Sequence, residues 1–401
     1  MKSNSQIVKV TLFAKAVVQR AAKVFNRNRV VTHNFYEYKI SSSKTLKGEV
    51  LLAYVSEVGF REKDSSWMAG HANRWQTLEM INVWREFGYN VDLIDHKHTD
   101  FIPNKEYDVL IGHEPAFPDL AQKLPNSVKI YYSTTHTWMH RNFQIEKALQ
   151  DLKKRRAIKL RTPPLDPEHD SWFIADYVFY FGNENLKQYL ALNTRSEFDK
   201  IFHVRNGIRF VPSYVDCDFK ESHKNFLYLG SWGSVFRGLD LLIEVFKSRP
   251  ELNLFICSDL VYQTEFFWKF RKDLLGCSNI HILGFVDTNS TYFNQIVSKV
   301  TWQIYPSRSE ASASSVCLGA TRGLIPIISK ECTFEGEHLA LLMESIEIQG
   351  INDAIDVALT KPPDWCRDRS LEIYNWANEN LTIDAYRESI KEAIKSVTAN
   401  M

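Results

Sequence analysis

Cysteine is scarce: six in 401 residues, at 217, 257, 277, 317, 332 and 366, with no CxxC pair. That spacing excludes a zinc ribbon or a thioredoxin-like centre. Cys257 sits inside an apolar run, and buried free thiols in a reducing, cytoplasmic compartment are the expectation. A charge excess is missing too. Lys plus Arg (49) nearly cancels Asp plus Glu (48), leaving +1, which excludes a chain that works by coating nucleic acid. With 16 Gly and 13 Pro among 44% hydrophobic residues, collagen-like and disordered classes fall away. No uncharged apolar run approaches the roughly 20 residues needed to span a bilayer.

The amino terminus lacks acids. Residues 1–30 hold Lys2, Lys9, Lys15, Arg20, Lys23, Arg27 and Arg29 but no Asp or Glu. Val10, Phe13, Val17 and Val24 keep helical spacing on a broad apolar face. Lys15 interrupts the stretch and no small-residue cleavage site follows, which argues against a secretory signal. The segment 1–47 fits either a basic amphipathic helix on an anionic membrane surface or a partner, or else a loosely ordered leader or a helix packed on the domain behind it.

What is present is a repeated rhythm of strand and helix. Val50–Val55, Asn90–Ile94, Tyr107–Ile111, Val128–Tyr132, Ala175–Phe181 and Phe202–Val204 are short apolar runs, with a helical pattern over Trp75–Phe87. The rhythm restarts after the polar stretch 216–225. Strands are expected at Phe226–Leu229, Leu252–Cys257, Ile280–Leu283, Val300–Tyr305 and Ile325–Ile328, and helices over Asp240–Phe246 and Tyr262–Leu275. Pro163, Pro164 and Pro167 mark a loop beside the basic run Lys153–Arg156. Short buried strands separated by helices imply parallel sheets covered on both faces. The expected architecture is α/β: two tandem, doubly wound, Rossmann-like domains at 48–215 and 216–375 facing across a cleft. A terminal helix in 376–401 is expected to pack back on the first domain. Ligands of such sheets bind outside the carboxyl ends of the strands.

Three strand-end segments carry the chemistry. After Phe226–Leu229 comes Gly230-Ser-Trp-Gly-Ser-Val-Phe-Arg-Gly-Leu-Asp240, in which Gly230 and Gly233 permit close backbone approach and Arg237 offers a planar cation for a diphosphate. Its spacing matches neither a Walker loop nor GxGxxG. Gly284-Phe-Val286 follows Ile280–Leu283, and such a loop can frame a flat base. Tyr305-Pro-Ser-Arg-Ser-Glu310 then leads through the small residues Ala311, Ser312 and Ala313 toward a helix, whose backbone N–H groups are expected to face an anion. Asp95-His-Lys-His98 shows no companion ligands and reads as a solvated turn, so no metal is expected.

Taken in order, these segments resemble the GT-B fold glycosyltransferases of the retaining family 4 type. The family's pattern in its second domain is a Gly-rich loop ending Lys-Gly-Leu-Asp, then Gly-Phe-Val, then Pro-Ser-x-x-Glu and Gly-x-x-Pro. Here Arg237-Gly-Leu-Asp240, Gly284-Phe-Val286, Pro306-Ser-Arg-Ser-Glu310 and Gly323-Leu-Ile-Pro326 are similar to it. In the first half Ala69-Gly70 resembles the family's glycine loop near the acceptor, Tyr107-Asp-Val-Leu-Ile-Gly-His113 its Asp-Val-x-x-x-His segment, Ser133-Thr-Thr-His136 its strand-end His of the active cleft, and Ala175–Phe179 with Val204-Arg-Asn-Gly-Ile208 the paired segments that close the domain. The departures are Leu318 where the family's second Glu would fall, Ser231 where an Arg often stands, and Ala311-Ser-Ala313 for Gly-Phe-Gly.

The resemblance implies transfer of a sugar from a nucleotide diphosphate sugar to an acceptor hydroxyl with retention, by front-face displacement, with no metal and no cofactor. Arg237, Glu310 and His136 are then the catalytic candidates. Gly230, Ser231, Gly233, Gly284, Phe285, Val286, Arg308 and Ala311 to Ala313 would line the donor site, with Arg322 a further candidate cation. Gly70, His71, Asn73, Arg74 and His113 would face the acceptor, with Asn73 equally readable as a helix cap. The partners implied are the nucleotide sugar and a glycan, lipid-linked or small-molecule acceptor, with no nucleic acid. The location implied is the cytoplasm, with peripheral contact at the inner membrane face through the basic amino terminus. Two other classes stay open: a catalytically silent GT-B-like module that binds a glycan or partner, supported by Leu318 and Ser231, and a sugar-nucleotide epimerase.

Overall fold

A computed structural model describes residues 34–194, 197–209 and 212–401. Most of the basic segment 1–47 lies outside the described residues. Its last part does not: Phe35–Tyr38 is a strand, β1. The first sheet thus begins ahead of residue 48. Eating up this stretch is a Phe-Tyr-Glu-Tyr run that suits an edge strand, and it pairs antiparallel with β3 (Tyr89–Asp95).

Chain contacts divide the molecule into two compact units. One holds residues 34–138, 167–209 and 379–401. Its seven-stranded sheet comprises β1, β2 (Gly48–Tyr54), β3, β4 (Val109–Gly112), β5 (Val128–Ser133), β6 (Tyr177–Tyr180) and β7 (Ile201–His203), in the order β1-β3-β2-β4-β5-β6-β7. All pairs but β1–β3 are parallel. Val50, Leu51, Leu52 and Ala53 of β2 are fully buried, because helices cover both faces of a central parallel strand. Helix α1 (Ala72–Glu86) precedes β3, α2 (Ala116–Lys123) follows β4, and α3 (Trp138–Arg156) follows β5. Helix α4 (Glu184–Asn193) precedes β7.

The other unit holds Met139–Asp166 and Pro212–Asn378. The domain expected at 48–215 is therefore not continuous, since nearly all of α3 and the loop after it belong with the second sheet. That sheet has six parallel strands: β8 (Asn225–Leu229), β9 (Asn253–Cys257), β10 (Ile280–Ile282), β11 (Trp302–Tyr305), β12 (Ile325–Ser329) and β13 (Leu341–Met343). Their order is β10-β9-β8-β11-β12-β13. Helices α5 (Leu239–Ser248), α6 (Thr264–Gly276), α7 (Thr291–Val297) and α8 (Ser314–Ala320) alternate with them. After β13 come α9 (Ile348–Leu359), α10 (Pro363–Asn380) and α11 (Ile383–Thr398).

Helix α11 packs on α1 in the first-sheet unit. The Tyr386 ring meets Trp75 edge-on, and its hydroxyl donates to the Gln76 carbonyl at 3.2 Å. Gly207 fits beneath it, where an added Cβ would lie 2.7 Å from Thr382 O and from Trp75.

The basic run at the end of α3 is an internal clamp. Arg155 reaches Asp240 and Glu244 of α5, and Arg156 reaches Asp273 of α6 at 2.8 Å. Cations at a helix carboxyl end also suit its dipole. Burial pushes the Asp240 carboxyl up to about 6 against the opposing pull of Arg155. The folded protein thus binds this proton more tightly than the unfolded chain. The group's contribution is fully present below about pH 4 and is lost as pH rises toward about 6. Chemical denaturation across this range is expected to show a smaller loss of stability in Asp240→Asn than in wild type; parallel curves would refute it.

Cys257, Cys317, Cys332 and Cys366 are buried and no described cysteine forms a disulfide. Among the described residues no helix is long and apolar enough to cross a membrane.

Candidate active site

In the second sheet the strand order reverses between β8 and β11. The connections leave these adjacent strands in opposite directions and open a crevice at their carboxyl ends. The glycine loop 230–238 leaves β8 there, and the loop 306–313 leaves β11. Gly238 joins the two: it has φ +71°, and an added Cβ would lie 2.5 Å from the Pro306 carbonyl oxygen. The Arg308 N–H also donates to the Phe236 carbonyl at 3.2 Å. Gly238→Ala combines left-handed strain with a backbone clash, so a loss of about 2–4 kcal/mol in denaturation experiments is expected.

This contact sets Arg237 against Glu310. Arg237 Nε donates to Glu310 Oε1 at 2.9 Å, and the same oxygen accepts from Tyr305 OH and Ser307 Oγ at 3.0 Å each. Arg237 Nη1 donates to Ser231 Oγ and to the Trp232 carbonyl, both at 2.8 Å. The Arg237 and Glu310 side chains are 21% and 15% exposed. Burial opposes the Arg237 charge, but the adjacent Glu310 carboxylate outweighs it and holds the guanidinium above its ordinary pKa. Burial keeps the Tyr305 and Tyr228 phenols protonated, despite the pull of Arg237. The arrangement is a cation whose Nε and Nη1 are aimed by three partners, with Nη2 outside that network. Tyr305 and Ser307 escaped the sequence reading; their only signal was position, at a strand end beside Glu310.

The other expected donor-site residues divide. Gly230 and Gly233 lie in the glycine loop, Gly233 with φ +82°. Phe285 stands out from the surface, 77% exposed, next to Gly284 at φ +74°. Val286 turns inward to a cluster with Leu227, Cys257, Phe293 and Ile296, and Leu318 packs on that same cluster. Position 318 is an apolar wall here.

Arg308 and Arg322 are each held by contacts within the second-sheet unit. Arg308 is buried and pairs with Asp151 of α3 at 3.2 Å. Arg322 binds the carbonyls of Thr288 and Leu318, and Asn294 Oδ1. These bonds tie the end of α8 to the 287–294 segment, and burial lowers the Arg322 pKa to about 10. Ser312 and Ala313 are buried as well. The N–H groups of Glu310, Ser312 and Ala313 are bound by Glu331 O, Thr333 Oγ1 and Cys332 O, so these three do not face an anion. Ala311 alone of the small residues stays partly exposed.

In the first-sheet unit the order reverses between β2 and β4, and His113 follows β4 directly. Its Nδ1 lies 3.0 Å from the Tyr132 carbonyl and 3.1 Å from Glu114 Oε2. Glu114 also accepts from Tyr131 OH, with His169 3.7 Å away. Burial raises the Glu114 pKa, and His113, Tyr131 and His169 together bring it below its ordinary value. Glu114, Tyr131 and His169 carried no sequence signal. His136 is buried, accepts from the Thr137 N–H at 2.9 Å and meets the Tyr189 ring edge-on at 4.4 Å. At the start of α1 the cap is His71, which accepts from the Asn73 N–H, so Asn73 does not cap this helix. Burial and Arg74 lower the His71 pKa. Arg74 lies 4.3 Å over the Trp67 ring and bonds the Trp67 carbonyl beside Gly70. His96 binds the Glu114 carbonyl, and among the described residues no His, Cys, Asp and Glu side chains group as a metal site.

No described protein family matches the sequence. No curated protein matches it either. Solved structures share its fold. The sucrose-phosphate synthase of Thermosynechococcus elongatus is 12% identical, with 88% of this chain covering 100% of that one at a TM-score of 0.57. The α,α-trehalose 6-phosphate synthase of Burkholderia multivorans is 11% identical over 89% and 99% of the two chains, with a TM-score of 0.56. Anabaena HepE, solved with UDP-glucose, is 11% identical over 87% and 100%, with a TM-score of 0.54. At such identities the likeness shows the fold: α/β, with the two Rossmann-like domains of GT-B glycosyltransferases.

Proposed function

We propose that the chain is a glycosyltransferase of the retaining family 4 type, moving a hexose from a nucleotide diphosphate sugar to an acceptor hydroxyl without a metal or cofactor. The observation that carries this is the Arg237–Glu310 pair at the reversal point of the second sheet, braced by Ser231, Tyr305 and Ser307. Departure of a diphosphate demands stabilisation of growing negative charge by groups already in place. Arg237 meets that demand, Glu310 Oε2 is left to accept from sugar hydroxyls, and Phe285 offers an exposed face to a base. HepE was solved with UDP-glucose, which supports a donor of that class. His136 and His113 are assigned to the acceptor side, with Gly70, His71 and Arg74.

Purified protein incubated with UDP-, GDP- and ADP-sugars tests the reading. Release of nucleotide diphosphate together with a glycosylated product of unchanged anomeric configuration, undiminished by EDTA, is expected. The apolar wall at Leu318 and the serine at 231 favour a second reading, a module that binds nucleotide sugar without turnover. Binding without release would establish it. An isomerised sugar nucleotide would show an epimerase instead.

A further inference from the structure

A groove of about 520 Å³ lies beside residues 232–236 of the glycine loop, wholly within the second-sheet unit. Ile145 and Leu149 of α3, Pro163 and Pro164 of the loop after α3, and Val235 and Phe236 of the glycine loop line it. It is preformed. Asn142 of α3 clasps the backbone of Asp166 through two hydrogen bonds of 2.9 Å, and the Arg161 N–H donates to Glu265 of α6 at 3.1 Å. The proline-containing roof is thus pinned at both ends.

Of the polar side chains that also line it, Ser234 and Gln263 are paired with each other. The Ser234 N–H and hydroxyl both donate to Gln263 Oε1 at 2.9 Å, and Gln263 Nε2 donates to the Ser231 carbonyl at 3.1 Å. A hydrocarbon chain gains from burial against the apolar walls. Trp232, 59% exposed, borders the groove, and its carbonyl is the one that accepts from Arg237. One peptide bond separates Phe236 in the groove wall from Arg237 in the candidate active site.

The geometry points to this groove as the binding site for the alkyl chain of an amphiphilic acceptor. The inference rests on the glycosyltransferase reading for the word acceptor, and on the groove alone for the chain. Calorimetric titration of the full chain with methyl, butyl, hexyl and octyl β-glucosides, below micelle formation, tests it. Affinity is expected to rise about three- to fourfold per added methylene. Leu149→Trp, which fills the groove from α3, is expected to weaken octyl glucoside binding at least tenfold. Leu149→Ala should keep the chain-length trend. UDP titration of the same variants, expected to be unchanged, reports folding and the candidate active site separately.

Equal binding of methyl and octyl glucosides, or octyl binding insensitive to Leu149→Trp in a protein that still binds UDP, overturns the inference. A chain-length trend without any UDP binding overturns the donor reading while leaving the chain site in place. In transfer assays with the donor found by the screen, Leu149→Trp is expected to raise KM for octyl but not methyl glucoside at constant kcat. A KM unmoved for both removes the acceptor from the assignment.

Discussion

Arg237→Ala is expected to lower turnover of the accepted nucleotide sugar by about two to three orders of magnitude, the effect of removing one preorganised donor to developing charge. The Nε and Nη1 positions of Arg237 are set by Glu310, Ser231 and the Trp232 carbonyl, so little reorganisation is needed when charge grows on the leaving diphosphate. Arg237→Lys keeps the charge but has a single ammonium in place of a planar fork that spans three partners at once. It is expected to recover only part of the loss. Single-turnover rates with saturating donor, read beside thermal melting, check this. A properly folded Arg237→Ala variant with most of its activity would remove Arg237 from the chemistry.

Glu310→Ala is expected to cost about 3 kcal/mol of stability, because it strands a mostly buried guanidinium and leaves the Tyr305 and Ser307 hydroxyls without their shared acceptor. Breaking one side of such a pair costs more than removing both, since the penalty comes from the charge left behind. The double variant Arg237→Met with Glu310→Leu is therefore expected to be more stable than Glu310→Ala alone, with a large interaction energy in the cycle. Glu310→Gln retains an acceptor for Tyr305 and Ser307 and should lose less stability than alanine, yet still lose donor affinity. Denaturation midpoints of wild type, Arg237→Met, Glu310→Leu and the double variant close the cycle, and Glu310→Ala and Glu310→Gln are compared by midpoint and by UDP-sugar titration. Additive effects would mean that the two side chains do not depend on one another.

The strand segments were legible because burial on both faces leaves a local mark. Val50–Val55 and Phe226–Leu229 read as continuous apolar runs, and the observed strands Gly48–Tyr54 and Asn225–Leu229 differ from them by one or two residues. The edge strands Phe35–Tyr38 and Leu341–Met343 were missed, since a short edge strand is half exposed and its sequence alternates weakly. The burial of Arg308, Ser312 and Ala313 was not legible for a related reason. Their loop position was right, but whether a loop side chain faces ligand or packs inward depends on segments far along the chain, here Asp151, Thr333 and Glu335.

The sequence by itself determined which segments are strands, which loops end them, and that Arg237 and Glu310 each stand in a strand-end loop. Only the tertiary structure decided that those loops meet, because sheet order is a property of pairing between distant segments and leaves no local period to read. Placing β11 beside β8, with a glycine at 238 small enough to touch Pro306, sets the two charges 2.9 Å apart. The same long-range packing turned the basic end of α3 from a charged surface run into a buried clamp on Asp240, Glu244 and Asp273.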